Sequence, residues 1–150
     1  MDGASEVKQV RASAGLSQRD LADLSGVAQS NISAYESGAR RPSAKMVERL
    51  RRAVKPRPSV VLAQHRADVL RIAQRHGASR VRVFGSVARG EDRPGSDIDF
   101  LVRFSPTASA FDQVELAEDL EGLLGVCVDV VSERGLRTSH GEIRSQARPL

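Results

Sequence analysis

Three segments in the second half of the chain alternate between apolar and polar side chains, a period typical of β-strands that are buried on one face. They cover residues 80–84, 98–104 and 126–131, and the first is broken at Gly85. The alternation predicts a small sheet built from short strands.

Three aspartates lie at polar positions of these segments. Because side chains alternate along a strand, Asp97 and Asp99 share one face with Leu101, while Ile98 points to the other. Asp129 likewise lies on the face opposite its apolar neighbours in the run VCVDVV. If the two strands are adjacent, we expect the three carboxylates to converge.

Carboxylates that converge within a few ångströms repel one another unless a cation lies between them. Mg²⁺ prefers oxygen ligands and keeps part of its shell for substrate phosphates, and two such ions can stabilise both oxygens of an in-line displacement. Each feature alone has a structural explanation, since Asp-x-Asp is common at solvated strand ends. Together they favour a two-Mg²⁺ site.

A Gly-Ser pair follows the first predicted strand. Gly85 lets the backbone approach a phosphate, and the Ser86 hydroxyl can donate to a phosphate oxygen. The following segment VARG begins a short helix whose first turn favours an anion. The pair therefore predicts phosphate binding beside the carboxylates.

The order strand, Gly-Ser, spacer, Asp-x-Asp and a later strand Asp resembles the minimal nucleotidyltransferases of the DNA polymerase β-like superfamily. The resemblance covers roughly residues 60–150, through FGSVARGEDRPGSDIDFLV and VDVVSERGL. It implies an α/β domain with a small mixed sheet that takes ATP as substrate with two Mg²⁺ ions. The implied catalytic and metal-binding residues are Asp97, Asp99 and Asp129, and the implied nucleotide-binding residues are Gly85, Ser86 and Arg89.

The first third of the chain shows a helical pattern with a turn. Ser17 and Asp20 are spaced as a helix start, Leu21, Ala22 and Leu24 form an apolar stripe, and Gly26 interrupts it before a second short helix. We expect Val27 and Ile32 to close the angle between the two helices. This is the spacing of a helix-turn-helix.

The segment LSQRDLADLSGVAQSNISAYESGARRPS resembles the Xre/Cro-like repressors. That family commonly has a serine where Ala28 stands, and alanine cannot cap the second helix. Glu36 is expected to pair with an arginine and Tyr35 to pack between helices. By this resemblance the DNA-binding residues are Gln18, Gln29, Ser30, Asn31, Ser33, Arg40 and Arg41.

Charge distinguishes the two parts of the chain. The formal net charge is +4, and all of the excess lies in residues 1–55, where residues 40–55 carry seven basic side chains against Glu48 alone. A basic surface suits contact with a phosphate backbone, although a run of charge on a helix is also a common solvated face.

Pro56 and Pro58 interrupt the helical pattern and predict a short, stiff linker. The expected organisation is two domains: an all-α helix-turn-helix domain over residues 1–55, a linker over 56–59, and an α/β minimal nucleotidyltransferase domain over 60–150. Val61, His65, Val69 and Ile72 predict one helix that ends at Gly77 and packs against the sheet.

Composition narrows the setting. The sequence has no apolar run long enough for a membrane span and no signal-peptide pattern, so a cytoplasmic protein without a membrane partner is expected. Cys127 is the only cysteine, which excludes an internal disulfide. Both domains are small, so a homodimer or a hetero-oligomer with a partner is expected.

About 95 residues leave no room for a template-binding or acceptor-binding subdomain, so the acceptor must bring its own binding surface. The minimal nucleotidyltransferase part resembles the antitoxins of HEPN/MNT toxin-antitoxin pairs. That resemblance implies AMP transfer from ATP to a tyrosine of a cognate HEPN ribonuclease toxin, and repression of the operon through operator DNA. Two alternatives are a repressor whose second domain only captures a partner protein, and a nucleotidyltransferase that modifies a small molecule such as an antibiotic.

Overall fold

The computed structural model describes residues 2–137 and 140–150, which form two compact units divided between Lys55 and Pro56. Each unit has its own hydrophobic core. The first is all-α and the second is α/β, as the sequence predicted.

The first unit consists of four helices: α1 (Gly3–Ser13), α2 (Gln18–Ser25), α3 (Gln29–Glu36) and α4 (Ala44–Ala53). Ser17 and Asp20 form the predicted capping box at the start of α2. Gly26 ends α2 with φ 69°, a left-handed conformation that glycine adopts without a steric penalty.

The predicted packing of α2 and α3 is confirmed at Val27 and Ile32, which are both buried. It is wrong at Leu24, which is 52% exposed. Leu24 follows Leu21 by three residues, but α2 ends one residue later and packs on the core through Leu21 and the partly buried Ala22. Ala28 begins α3 with no side-chain cap, as expected.

An ion pair inside the first unit joins α1 to α3. The Arg11 Nε donates to Glu36 Oε1 at 2.6 Å, and Gln18 Nε2 donates to Glu36 Oε2 at 3.0 Å. The Arg11 guanidinium beside Glu36 holds the pKa of that carboxyl below its ordinary value, against the opposing effect of burial. The expected pairing of Glu36 and packing of Tyr35, which is 5% exposed, are both confirmed.

The second unit begins earlier than the predicted linker allows. Helix α5 (Pro58–Gln64) takes Pro58 at its first turn, where a missing N–H costs nothing, and buries that ring. Residues 58 and 59 therefore belong to a helix. The single helix predicted up to Gly77 is also divided, because the backbone at His65 leaves the helical region and α6 (Arg66–Arg75) starts after it.

The remaining α-helices and strands of the second unit are β1 (Ala78–Phe84), α7 (Gly85–Arg89), β2 (Ile98–Phe104), α8 (Ala110–Leu124), β3 (Val128–Ser132), α9 (Gly141–Gln146) and β4 (Arg148–Pro149). The strands form a four-stranded mixed sheet with the order β3-β2-β1-β4. Strand β1 pairs antiparallel with β2 and β4, whereas β2 pairs parallel with β3. A parallel pair needs a long connection, and the fifteen-residue α8 supplies it.

Strand β2 lies in the middle of the second core. Ile98, Phe100 and Val102 are almost fully buried, as the alternation predicted. Leu101, which shares a face of β2 with Asp99, is also fully buried. That face is therefore covered two residues after Asp99. Within the described residues, no helix combines the length and apolar character needed to cross a bilayer.

We expect Glu36→Gln to destabilise the first unit by about 1–3 kcal/mol, because it removes a charge-assisted bond and leaves Arg11 without its partner. Since the pKa of Glu36 is lowered on folding, its contribution is present above the unfolded pKa and is lost as the pH falls through the folded pKa. Urea titrations at several pH values, followed by the fluorescence of the single tyrosine, Tyr35, measure the first unit within the full chain.

The matched control is Glu48→Gln, which removes the same charge from the exposed Arg52–Glu48 pair. We expect it to change stability by less than about 0.5 kcal/mol. Equal effects of the two variants at neutral pH would contradict the role given to Glu36.

Candidate functional site

The Asp99 carboxylate lies at the centre of the polar end of the sheet. In the pairing register Asp99 is opposite Phe84 of β1 on one side and opposite Asp129 of β3 on the other. Directly paired residues of adjacent strands point to the same face. The structure therefore brings Asp99 and Asp129 together, and it places Gly85, which follows Phe84, beside them.

Gly85 packs against the Asp99 side chain without a Cβ of its own. Its φ is +70°, and a Cβ built there would collide with Asp99 Oδ2. Glycine is thus needed for the backbone conformation and for the space that the carboxylate occupies. The sharp turn at Gly85 leads directly from β1 into α7, as the Gly-Ser motif predicted.

Asp97 and Ser86 border this pair. Asp97 is exposed and immediately precedes β2, and Ser86 is the second residue of α7. The ligand atoms of Asp97, Asp99 and Asp129 do not all lie within 4.8 Å of one another. In the described part of the chain, another group of side chains does meet that spacing. Asp97 and Asp129 are exposed, so rotation of their side chains can bring the carboxylates closer.

Burial raises the pKa of Asp99, and the negative charges of Asp129 and Asp97 raise it further, while Arg89 lowers it. Asp99 is the half-buried member of the group and the other two aspartates are exposed. Three oxygen-donor side chains whose charges oppose one another fit a hard divalent cation, which would relieve that repulsion. Asp99 Oδ2 occupies the space left by the missing Cβ of Gly85.

Arg89 ends α7 and is held by two side chains. Its Nε donates to Glu91 Oε2 at 2.9 Å, and its Nη1 donates to Gln146 Oε1 of α9 at 3.3 Å. These contacts keep its charge close enough to Asp99 to lower the pKa of that group.

A residue that sequence reasoning missed holds the loop before β2. The side chain of Asp92 is fully buried, accepts from Ser59 N at 2.8 Å and lies 3.4 Å from Arg57 Nη2. Arg57 also donates to the backbone oxygens of Asp92 and Gly90. The spacer between Gly-Ser and Asp-x-Asp is therefore anchored to the start of α5. In the sequence, Asp92 is an aspartate in a polar run, and nothing there distinguishes it from a solvated aspartate.

The predicted DNA-binding side chains of the first unit lie on α3 and next to it. Gln29, Ser30 and Ser33 are exposed, and Asn31 is half-buried with its Oδ1 accepting from Arg40 at 3.2 Å. Gln18 is held by Glu36 in the pair described above. Arg41 is exposed.

The basic run of residues 40–55 is partly occupied by contacts within the first unit. Arg49 donates to the carbonyl oxygen of Ser25 at 3.1 Å. Arg51 pairs with Glu6 at 3.7 Å, and Arg52 pairs with Glu48 at 3.3 Å. Arg40 and Arg41 lie close to α3 in the chain, which makes them the candidates of this run for contact with a phosphate backbone beside that helix.

Comparison with known proteins agrees with both units. Residues 63–150 match the family model described as a nucleotidyltransferase domain, and residues 7–55 match the one described as a helix-turn-helix. The first match covers more than half of the chain. The chain belongs to the nucleotidyltransferase domain family and carries a helix-turn-helix unit ahead of that domain.

Three relatives illustrate the similarity. The protein adenylyltransferase MntA of Thermococcus cleftensis is 38% identical over 78 residues, which are 52% of this chain and 76% of that protein. A solved structure assigned as a minimal nucleotidyltransferase has a TM-score of 0.57 at 50% identity and covers 61% of this chain and 95% of its own. A toxin-antitoxin crystal structure with AMP-PNP has a TM-score of 0.50 at 24% identity, covers 55% and 69%, and shows the shared fold alone.

We expect Gly85→Ala to abolish nucleotide transfer, because its Cβ would displace the Asp99 carboxylate. The matched control is Gly90→Ala, which has nearly the same φ of +71° and no atom within 4 Å of the added Cβ. Both variants should lose about 1–2 kcal/mol from the left-handed backbone, but only Gly85→Ala adds the collision. Transfer assays and thermal unfolding of both variants measure the difference, and equal transfer by the two would contradict it.

Proposed function

We propose that this protein is a Mg²⁺-dependent protein adenylyltransferase that acts as an antitoxin, transferring AMP from ATP to a tyrosine of a cognate HEPN ribonuclease toxin and repressing its own operon. The observation that carries the proposal is the pairing of Asp99 with Asp129, with Gly85 fitted against Asp99. A relative named as a protein adenylyltransferase supports a protein acceptor.

In this proposal Asp97, Asp99 and Asp129 would hold two Mg²⁺ ions. The ions supply charge neutralisation of the triphosphate and of the oxygens that attack and leave. Asp99 lies opposite Asp129 in the register and against Gly85, at the centre of this group.

The residues of the chain perform three tasks. Asp129, exposed on β3, accepts the proton of the acceptor hydroxyl while the hydroxyl oxygen forms a bond to the α-phosphorus of ATP. The bond from the α-phosphorus to the bridging oxygen breaks, and pyrophosphate leaves. Gly85 and Ser86 bind the β- and γ-phosphates through backbone and hydroxyl donors, and Arg89 adds positive charge while Glu91 and Gln146 orient it.

The size of the second unit supports a macromolecular acceptor. Beyond its sheet, α5, α6 and α8 complete the hydrophobic core, and no further subdomain lies within the described residues to enclose a small acceptor. A protein that presents its own tyrosine needs no such enclosure. Transfer to a small molecule such as an antibiotic is accordingly the less favoured alternative.

The first unit supports repression. Exposed polar residues of α3 and the neighbouring Arg40 and Arg41 suit base-edge and phosphate contacts to operator DNA. A repressor that only captures a partner protein would not need the paired aspartates. Their retention favours catalysis over capture.

Intact mass spectrometry of the product of the adjacent gene, after incubation with this protein, Mg²⁺ and each nucleoside triphosphate, tests the proposed activity. We expect gains of one or more AMP units from ATP. Asp97→Ala or Asp99→Asn should reduce the rate by more than about 10²-fold, because the charge that binds the metal is lost. An unchanged rate in either variant would overturn the assignment of these carboxylates.

Glu118→Gln is the matched control for that experiment. It removes an exposed carboxylate from α8 and should leave transfer unchanged. If the wild-type chain transfers no nucleotide to the adjacent protein but still binds it, the partner-capturing repressor replaces the proposal. If it modifies an antibiotic and not the protein, the small-molecule alternative does.

Operator binding is tested by Asn31→Ala combined with Arg40→Ala. We expect weaker binding to the promoter of the operon, and a salt dependence of log K that is less steep by about 1 for the lost phosphate contact, with transfer unchanged. Lys8→Ala, which removes a basic residue from α1, should leave promoter binding and its salt dependence unchanged. Absence of promoter binding by the wild-type chain would contradict the repressor assignment.

A further inference from the structure

A second group of potential metal ligands lies at the other end of β1 and β2 from the aspartates. His76 precedes β1 by two residues, and β1 begins at Ala78 opposite Phe104, whereas Phe84 and Asp99 pair at the far end. A seven-residue strand spans about 20 Å. The two groups are thus separate, and the carboxylates of one cannot serve the other.

His76 faces three carboxylates of α8. The side chain is 14% exposed, its Nε2 lies 2.7 Å from Asp119 Oδ2, and its Nδ1 lies 3.9 Å from Glu115 Oε2. The spacing of Asp112, Glu115 and Asp119 puts them on one helical face. Ligand atoms of His76, Asp112 and Glu115 all lie within 4.8 Å of one another.

The contact with Asp119 orients the ring. In the tautomer whose Nε2–H donates to Asp119, Nδ1 carries the lone pair on the side of Glu115 and can bind a metal ion. Histidine ligands of metal ions are commonly oriented by a carboxylate on the other ring nitrogen. This arrangement distinguishes the group from an ordinary cluster of exposed acids.

We propose that His76, Asp112 and Glu115 form a site for a divalent transition metal of the Zn²⁺ class, with Asp119 as the positioning residue. One nitrogen and two oxygen ligands leave a fourth position open for water or an external ligand. A tetrahedral Zn²⁺ site separates its ligand atoms by about 3.3–3.6 Å. Rotation of Glu115, which is 62% exposed, closes the remaining distance.

The surroundings are suited to an open coordination position. A cavity of about 300 Å³ is lined by His76, Asp112, Ser105 and Thr107. Gly77, with φ +69°, turns the chain just after His76, and a Cβ there would lie 3.0 Å from Ser105 Oγ. The same turn lets Gly77 O accept from Ser105 N at 2.8 Å, so the ring is held against the loop that leads to α8.

The test is a Zn²⁺ titration of the ¹⁵N-labelled full chain with excess Mg²⁺, followed by the imidazole resonances. The chain has three histidines, so His65 and His140 serve as internal controls. A Cys127→Ser background removes the exposed thiol as a competing ligand. We expect a saturable shift of the His76 Nδ1 resonance with no change at the other two rings. Metal binding at the aspartates of β2 and β3 would not produce that shift.

Variants of α8 test the ligands without changing the His76 ring. Glu115→Gln should weaken Zn²⁺ binding at His76 by more than about tenfold, and Asp119→Asn by about 10–100-fold. Glu118→Gln, which removes the same charge from the same helix, should change it by less than about twofold. An unshifted His76 resonance at millimolar Zn²⁺, or equal affinities of Glu115→Gln and Glu118→Gln, would overturn the proposal.

Discussion

The Asp99 carboxylate lies between a glycine whose missing Cβ leaves the space that it occupies and an aspartate on the neighbouring strand. Its position depends on the register of β2 against two strands that run in opposite directions, since Phe84 fixes one side and Asp129 the other. A slip of one residue in either pairing would turn the side chains to the opposite face. The buried residues Ile98 and Phe100 oppose such a slip, because it would expose them.

The three strands followed from period-two alternation, which reports burial on one face of a strand directly, and the α/β class with a mixed sheet followed from the resemblance to minimal nucleotidyltransferases. The helix-turn-helix followed from the capping pair at Ser17 and the glycine at 26, because each has a specific backbone geometry. Elements that depend on distant contacts were not predictable in the same way. The length of α8 and the parallel pairing of β3 arise together, because that pairing needs a long crossover.

The candidate site was predicted in its residue types and partly in its geometry. Alternation placed Asp97 and Asp99 on one face, but only the register shows that Asp129 is the partner of Asp99. The collision that any side chain at Gly85 would cause is a three-dimensional fact with no sequence signal beyond the glycine itself. The same holds for Asp92, whose partners Arg57 and Ser59 lie more than thirty residues earlier.

Parallel pairing of β2 with β3 also has a consequence for synthesis. The first unit ends at Lys55, so its helices can pack while the ribosome is still translating the second. The hairpin of β1 and β2 can form next, but it holds Asp99 without Asp129 until α8 and β3 have emerged. A nascent chain thus acquires its helix-turn-helix fold well before the last aspartate of the candidate site is made, and the site is complete only with the closing strands of the sheet.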